Sequence, residues 1–184
     1  DVPISIDTCK AAVARQAIAA GARIINDVTA LRGDPDMLQV AAETAAGVCL
    51  MHMKGTPRTM MREITYTDVV REVAFFLQQR CEELVAAGIA RDRLAVDPGL
   101  GLFAKTAEHN WQLISRLQEL RAIGYPLVVG HSRKRFIRQI VGENPQAILT
   151  GTVGVGLLLA AGGVDILRVH DVRPLRAALD AVRQ

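Results

Sequence analysis

Seven aromatic residues in a chain of 184 leave too few rings to stack a run of bases. The charges nearly cancel, 22 basic against 19 acidic for a net +3, so no phosphate-tracking surface is indicated. Nucleic-acid binding is therefore not expected. Cysteine is scarce as well. Cys9, Cys49 and Cys81 are odd in number and widely spaced, which argues against a disulfide framework and for a reducing compartment. No signal-peptide pattern stands at the N-terminus, and the expected setting is cytoplasmic. Neither HxH, nor HExxH, nor a paired His and Cys spacing occurs among the four histidines, so a metal site built by this chain is not expected. Long hydrophobic runs are missing too, with one exception. Residues 147–164 form an uncharged stretch of 18, near the length of a membrane span. Five glycines and two threonines interrupt it and a charged strand follows, so a buried core helix is expected rather than a membrane segment.

What remains suits one compact domain over residues 1–184, with half the residues apolar and a mean hydropathy of +0.20. Short β-branched runs at 2–7, 22–28, 47–53, 93–99, 126–132 and 165–171 alternate with helix-period stretches at 9–20, 36–46, 66–87, 108–123, 147–161 and 174–182. In the third of these stretches Val69, Val73, Phe76, Leu77, Cys81 and Leu84 form one stripe, with Thr65 or Thr67 as the cap and Gly88 as the stop. Gly21, Gly124 and Gly163 are expected to end other helices. Six strand-then-helix units imply a parallel sheet covered by helices. Each run ends in a polar residue, namely Asp7, Asn26, His52, Asp97, Ser132 and His170. A barrel gathers all such ends at one mouth whereas an open sheet uses few of them, so a (β/α)8 barrel is favoured. Six units do not close eight strands. The expectation is an N-terminally truncated barrel lacking about two units before Asp1.

Strand alternation places Arg168 and His170 on one face, about 6–7 Å apart. That spacing suits two donors gripping a diphosphate, or equally a strand end meeting Asp171 or water. Asp7 and Asp97 follow apolar residues that should carry their carboxylates toward the core, where a carboxylate must be paired. A planar H–N–C–N–H edge fits, as in a guanidinium or a 2-aminopyrimidine; so does a structural ion pair or helix cap. Asn26 offers a donor and an acceptor to a heterocycle rim, although capping the turn before Asp34 is the simpler reading. The glycines of GTVGVG, residues 151–156, follow no strand and lack the GK[ST] ending, so close helix packing explains them better than phosphate binding. The cysteines occupy one strand and two helical positions with no base near in sequence, which leaves no catalytic thiol. In PLVVGHSRKRF, residues 126–136, a buried strand ends in three adjacent cations, and HSRKRF is expected to be a loop at the mouth.

ISIDTCK, IINDV, LMHMKGTPRTM, DPGLGLFAK, VGHSRKRF and LRVHDV occur in the order and at about the spacing of the dihydropteroate synthase family. The chain resembles that family over nearly its whole length, from the third strand to the last helix. The resemblance implies a (β/α)8 TIM barrel and a transferase of folate biosynthesis that is a sulfonamide target. Such an enzyme condenses 7,8-dihydropterin-6-ylmethyl diphosphate with p-aminobenzoate, giving 7,8-dihydropteroate and diphosphate. It further implies Mg²⁺ as cofactor and a homodimer formed through the late helices. Asp7, Asn26, Met51, Asp97, Gly130 and Lys134 match pterin-binding positions, and Arg168 and His170 match the diphosphate anchors. Ser132, Lys134 and Arg135 match the p-aminobenzoate side, and Lys134, Arg168 and His170 are the implied catalytic set.

Departures from the family pattern also matter. DPGLGLFAK is one residue longer than the common DPGxGFxK, leaving Leu102 and Phe103 as rivals for the pocket phenylalanine. Arg135 replaces a frequent serine and Arg138 a frequent glycine. The family's metal-associated asparagine and two loops come from strands this chain lacks, so it is expected to hold no metal residue and to show little or no activity alone. Two rival readings are a pterin-binding domain of a corrinoid-dependent methyltransferase and a non-catalytic pterin-binding relative. SRK and RVHD, which serve diphosphate and p-aminobenzoate but not methyl transfer, separate the first reading from the methyltransferase.

Overall fold

The computed structural model describes residues 2–56, 59–60 and 64–182. Strands β1 (Ser5–Asp7), β2 (Ile24–Asp27), β3 (Gly47–Met51), β4 (Leu94–Asp97), β5 (Val128–Val129) and β6 (Ile166–Leu167) alternate with helices. The helices are α1 (Ala11–Ala19), α2 (Met37–Glu43), α3 (Val69–Ala86), α4 (Ala107–Ser115), α5 (Leu117–Arg121), α6 (Arg135–Val141), α7 (Pro145–Ala161) and α8 (Val172–Val182). Strands β1 to β4 form one parallel ladder and β5 with β6 another. A Val96–Leu127 bridge and a 2.9 Å bond from the Val96 N–H to the Pro126 carbonyl join the two. The product is one arc of six βα units, with β1 and β6 at its ends.

Each strand buries alternate residues outward against the helices. Ile25, Leu50, Val96 and Val129 thereby meet Met37, Val73, Leu77 and Phe136 in the core. The opposite residues of the same strands face the inside of the arc. Helix α3 shows the expected stripe, burying Val69, Val73, Leu77, Cys81 and Leu84. Its cap is Asp68, whose carboxylate accepts from the Val70 and Arg71 N–H groups, and not Thr65 or Thr67. A carboxylate at that position also takes the Arg116 guanidinium at 3.0 Å, a pairing that a hydroxyl cannot make. Gly88 stops the helix at φ +95°, and Gly21, Gly124 and Gly163 are likewise left-handed.

Four further expectations are corrected. The helix expected at 108–123 breaks at Arg116 (φ −118°, ψ 36°) into α4 and α5, where the guanidinium ties Asp68 and Glu119 together. The mouth loop expected at 131–136 is helical at its end, because Arg135–Val141 form α6, which buries Phe136 and Ile137. Helix α7 is buried on one face only, leaving Leu158 53% exposed. Cys9 precedes α1 instead of lying within a helix. The three cysteines are free. No single helix among the described residues is long and apolar enough to cross a membrane.

Candidate active site

Register sets the site. Asp7 pairs with Asn26, Asn26 with Cys49, and Met51 with Asp97. Since Cys49 and Met51 are two residues apart, all these side chains face the inside of the arc at the strands' C-terminal ends. Met51 and Asp97 are buried there and Asn26 is half-buried. The turn after β2 is held by the buried Asp27, which accepts from the Thr29 N–H and hydroxyl and the Leu31 N–H; Asp34 in turn accepts from the Ala11 N–H at the start of α1. The capping role considered for Asn26 therefore falls to these neighbours.

Asp97 is the floor. It is 5% exposed and accepts the Gly99 N–H at 2.7 Å. Burial pushes its carboxyl above the usual carboxylate range, while the Gly99 bond and the charges of Lys134, Arg168 and Lys105 oppose that shift. Lys134 faces the same space. Burial lowers its pKa and Asp97 works against the lowering. Its ammonium lies 4.7 Å from the Phe103 ring centroid. Leu102 by contrast is 41% exposed, so of the two rivals it is Phe103 that stands against Lys134.

Asp7 departs from expectation. It lies on the outermost strand β1, and its side chain is 58% exposed, as is that of Arg168, whose Nη1 sits 3.8 Å from the Asp7 carboxylate. Gly130 does not leave an empty space for a ring: a Cβ there would stand 3.4 Å from the Arg168 Nε, so the guanidinium occupies that space. Strand β6 ends at Leu167, and the Arg168 N–H still reaches the Val129 carbonyl at 3.0 Å. Beyond it His170 turns to Ser132, with 2.9 Å between its Nδ1 and the serine Oγ. Ser132 is buried behind His170 and does not open onto the mouth. Arg133 grips Asp171 through both carboxylate oxygens, at 2.8 and 3.0 Å, so it braces the loop. Arg135 is exposed at the start of α6 and lines a hollow of about 210 Å³ with Leu102, Lys105, Phe136 and Gln139.

Sequence reasoning placed His52 at the mouth and passed over Lys105 and Asn110. His52 follows Met51, so alternation turns it outward into the helix layer, where its ring meets Phe76 edge-on at 5.0 Å. Lys105 approaches its Nδ1 at 3.0 Å. Burial and the neighbouring Lys105 charge push the His52 pKa down to about 2, so the ring is neutral. Asn110, also buried, holds the Gly101 N–H and the Gly101 and Thr106 carbonyls. Nothing in LFAK or EHNW announces burial; the only signal is their place just after a strand that ends in DPG.

The mouth thus combines a buried carboxylate, a half-buried ammonium on an aromatic ring, and an open cationic rim. It can accept a ligand with a planar hydrogen-bond-donating edge at one end and an anion at the other. Among the described residues no group of three or more His, Cys, Asp or Glu side chains could hold a metal ion.

The chain matches known proteins over most of its length. A family model described as "Pterin binding enzyme" matches residues 1–170. The chain is 43% identical to a dihydropteroate synthase of Synechocystis over 95% of its length and 43% identical to one of Escherichia coli K12 over 99%. It spans 61% and 64% of those two relatives. A solved dihydropteroate synthase from Xanthomonas albilineans, in complex with 7,8-dihydropteroate, superposes with a TM-score of 0.88 at 43% identity, covering 98% of this chain and 67% of that one.

Proposed function

The chain belongs to the pterin-binding enzyme family, and from that premise we propose that it carries the substrate-binding mouth of a dihydropteroate synthase. The observation that carries this reading is the buried Asp97 carboxylate facing Lys134 and Phe103, with Arg168 and His170 beyond them. Asp97 keeps one oxygen for Gly99 and offers the other to the 2-amino edge of the pterin. Met51 and Asn26 flank the ring. Lys134 lies between the pterin and the p-aminobenzoate. Arg135 takes the p-aminobenzoate carboxylate through a charge-assisted bond. Ser132 acts by orienting His170 instead of touching substrate.

In the reaction the bond between the pterin methylene carbon and the diphosphate oxygen breaks, its electron pair leaving with the diphosphate. Positive charge spreads into the ring, Arg168 and His170 stabilise the departing anion, and the aniline nitrogen forms the new C–N bond and loses a proton to solvent. This chemistry needs no strong general base. Magnesium enters the proposal as a companion of the diphosphate, held mainly by its phosphate oxygens. A homodimer in the cytoplasm completes the reading. The dimer part of that reading draws on an apolar groove of about 780 Å³ beside α7, walled by Trp111, Leu117 and Leu158.

Because the rim is exposed, the chain alone is expected to bind pterin but to turn over little. Titration calorimetry with a pterin and with inorganic pyrophosphate tests this. Pterin binding without any pyrophosphate effect favours the methyltransferase-type or non-catalytic reading. Near-normal steady-state turnover by this chain overturns the claim of low activity.

A further inference from the structure

Lys105 is the largest of the fully buried side chains, 1% exposed. A buried lysine is costly unless its protons find acceptors. Here they find the His52 Nδ1 at 3.0 Å, the Phe103 carbonyl at 3.0 Å and the His52 carbonyl at 3.4 Å. These acceptors come from two segments, the end of β3 and the loop after β4. The His52 N–H donates to the Asp97 carbonyl at 2.9 Å, so holding His52 holds the peptide beside the carboxylate floor. Phe103 carries the ring beneath Lys134, so holding its carbonyl holds the opposite wall. Between Phe103 and Lys105 lies Ala104, a buried non-glycine residue at φ +58°. That conformation costs about 1–2 kcal/mol and persists only where the surroundings fix it. Gly99 shows how tight the fit is: a Cβ there would collide with the same His52 carbonyl oxygen that Lys105 approaches.

We propose that Lys105 is a positioning residue of the pterin pocket, one that touches no substrate but sets the gap between the Asp97 carboxylate and the Phe103–Lys134 wall. By fixing that gap it selects a flat bicyclic ring over smaller heterocycles. The inference rests on the pterin reading above. Its chemistry agrees with the neutral state of His52, whose Nδ1 can then accept from the ammonium, and with the low proton affinity of Lys105, lowered by burial to about 7.

The test is calorimetry on the 184-residue chain with pterin-6-carboxylate and, separately, inorganic pyrophosphate. Lys105→Met is expected to weaken pterin binding about ten-fold or more, since buried acceptors lose their donor, and to leave pyrophosphate binding within about two-fold. Lys105→Gln, which still donates hydrogen bonds but carries no charge, is expected to return to within about three-fold of the unsubstituted chain. Unchanged pterin binding in Lys105→Met, equal weakening of both ligands, or a glutamine variant far below the unsubstituted chain each overturns the proposal. Should the methionine variant fail to fold, the glutamine variant's pterin and pyrophosphate affinities decide alone. Asp97→Asn separates the two levels. If the unsubstituted chain binds pterin no better than Asp97→Asn, the pterin reading falls and this inference with it. If Asp97→Asn loses pterin while both Lys105 variants keep it, only the positioning role falls.

Discussion

The two ends of the mouth are built on opposite plans. Around Asp97 the loop from residue 98 to 105 is fastened at three points, by Asp97 at Gly99, by Asn110 at Gly101 and by Lys105 at Phe103, and Lys105 also ties it to His52. Around Arg168 the one ion-pair partner among the described residues is an Asp7 oxygen 3.8 Å away, with both side chains 58% exposed. Exposed pairs of that kind contribute little. The floor is preorganised by contacts within the chain, whereas the rim is left free to follow its ligand. One end is suited to recognising a ring's shape, the other to catching charge.

The sharpest way to break this contrast is Asp97→Asn. Losing a charged hydrogen-bonded partner should cost about 3 kcal/mol, or roughly a hundred-fold in pterin affinity, while Arg168→Ala leaves pterin affinity unchanged; calorimetry on both variants checks it. Equal losses would mean the two ends act as one.

Next comes Gly99→Ala. A side chain at φ +70° that meets the His52 carbonyl should destabilise the fold by at least about 2 kcal/mol. Gly142→Ala, at φ +80° and ψ −168° but facing open space, should cost only the conformational part, about 1–3 kcal/mol. Urea midpoints for the two compare the fastened loop with a free turn.

Lys105 adds a pH signature. Its folded pKa of about 7 lies below the ordinary 10.5, so between those values the unfolded chain holds more protons and stability rises with pH. The rise is at most about 1.4 kcal/mol per pH unit, and the gain is lost as pH falls through 7. Lys105→Met should flatten stability curves measured at successive pH values from neutral to alkaline. The smallest effect belongs to Arg133→Ala on the rim side, where breaking a partly exposed ion pair with Asp171 should cost no more than about 1 kcal/mol in a thermal melt.

The same contrast governs what could be read from the sequence. Strand ends were legible because β-branched runs stop abruptly at polar residues, and the parallel register then follows from the strand-helix alternation. Asp97 and His170 could be singled out on that basis and Arg168 by its alternation with His170, whereas Lys134 was marked only by the family resemblance. His52 was misplaced because a strand that stops at Met51 turns the next side chain to the opposite face, a one-residue matter that composition does not resolve. Helix α6 was hidden by its cations, although Phe136, Ile137, Ile140 and Val141 repeat at helical spacing. Lys105 and Asn110 were missed because burial of a polar side chain depends on acceptors that lie far away in sequence, and for Lys105 the separation from His52 is 53 residues. Polar groups that serve structure leave little trace in a single sequence; those that end strands leave a clear one.

The arc finishes on β1 and β6, three and two residues long. An unpaired strand edge is a template on which another copy can add its own strand, the first step toward aggregation. Here each edge offers only two or three peptides, and Asp7 and Arg168 place a charge at the tip of each. Sheet growth from one molecule to the next would find only those two or three peptides on either edge to build on.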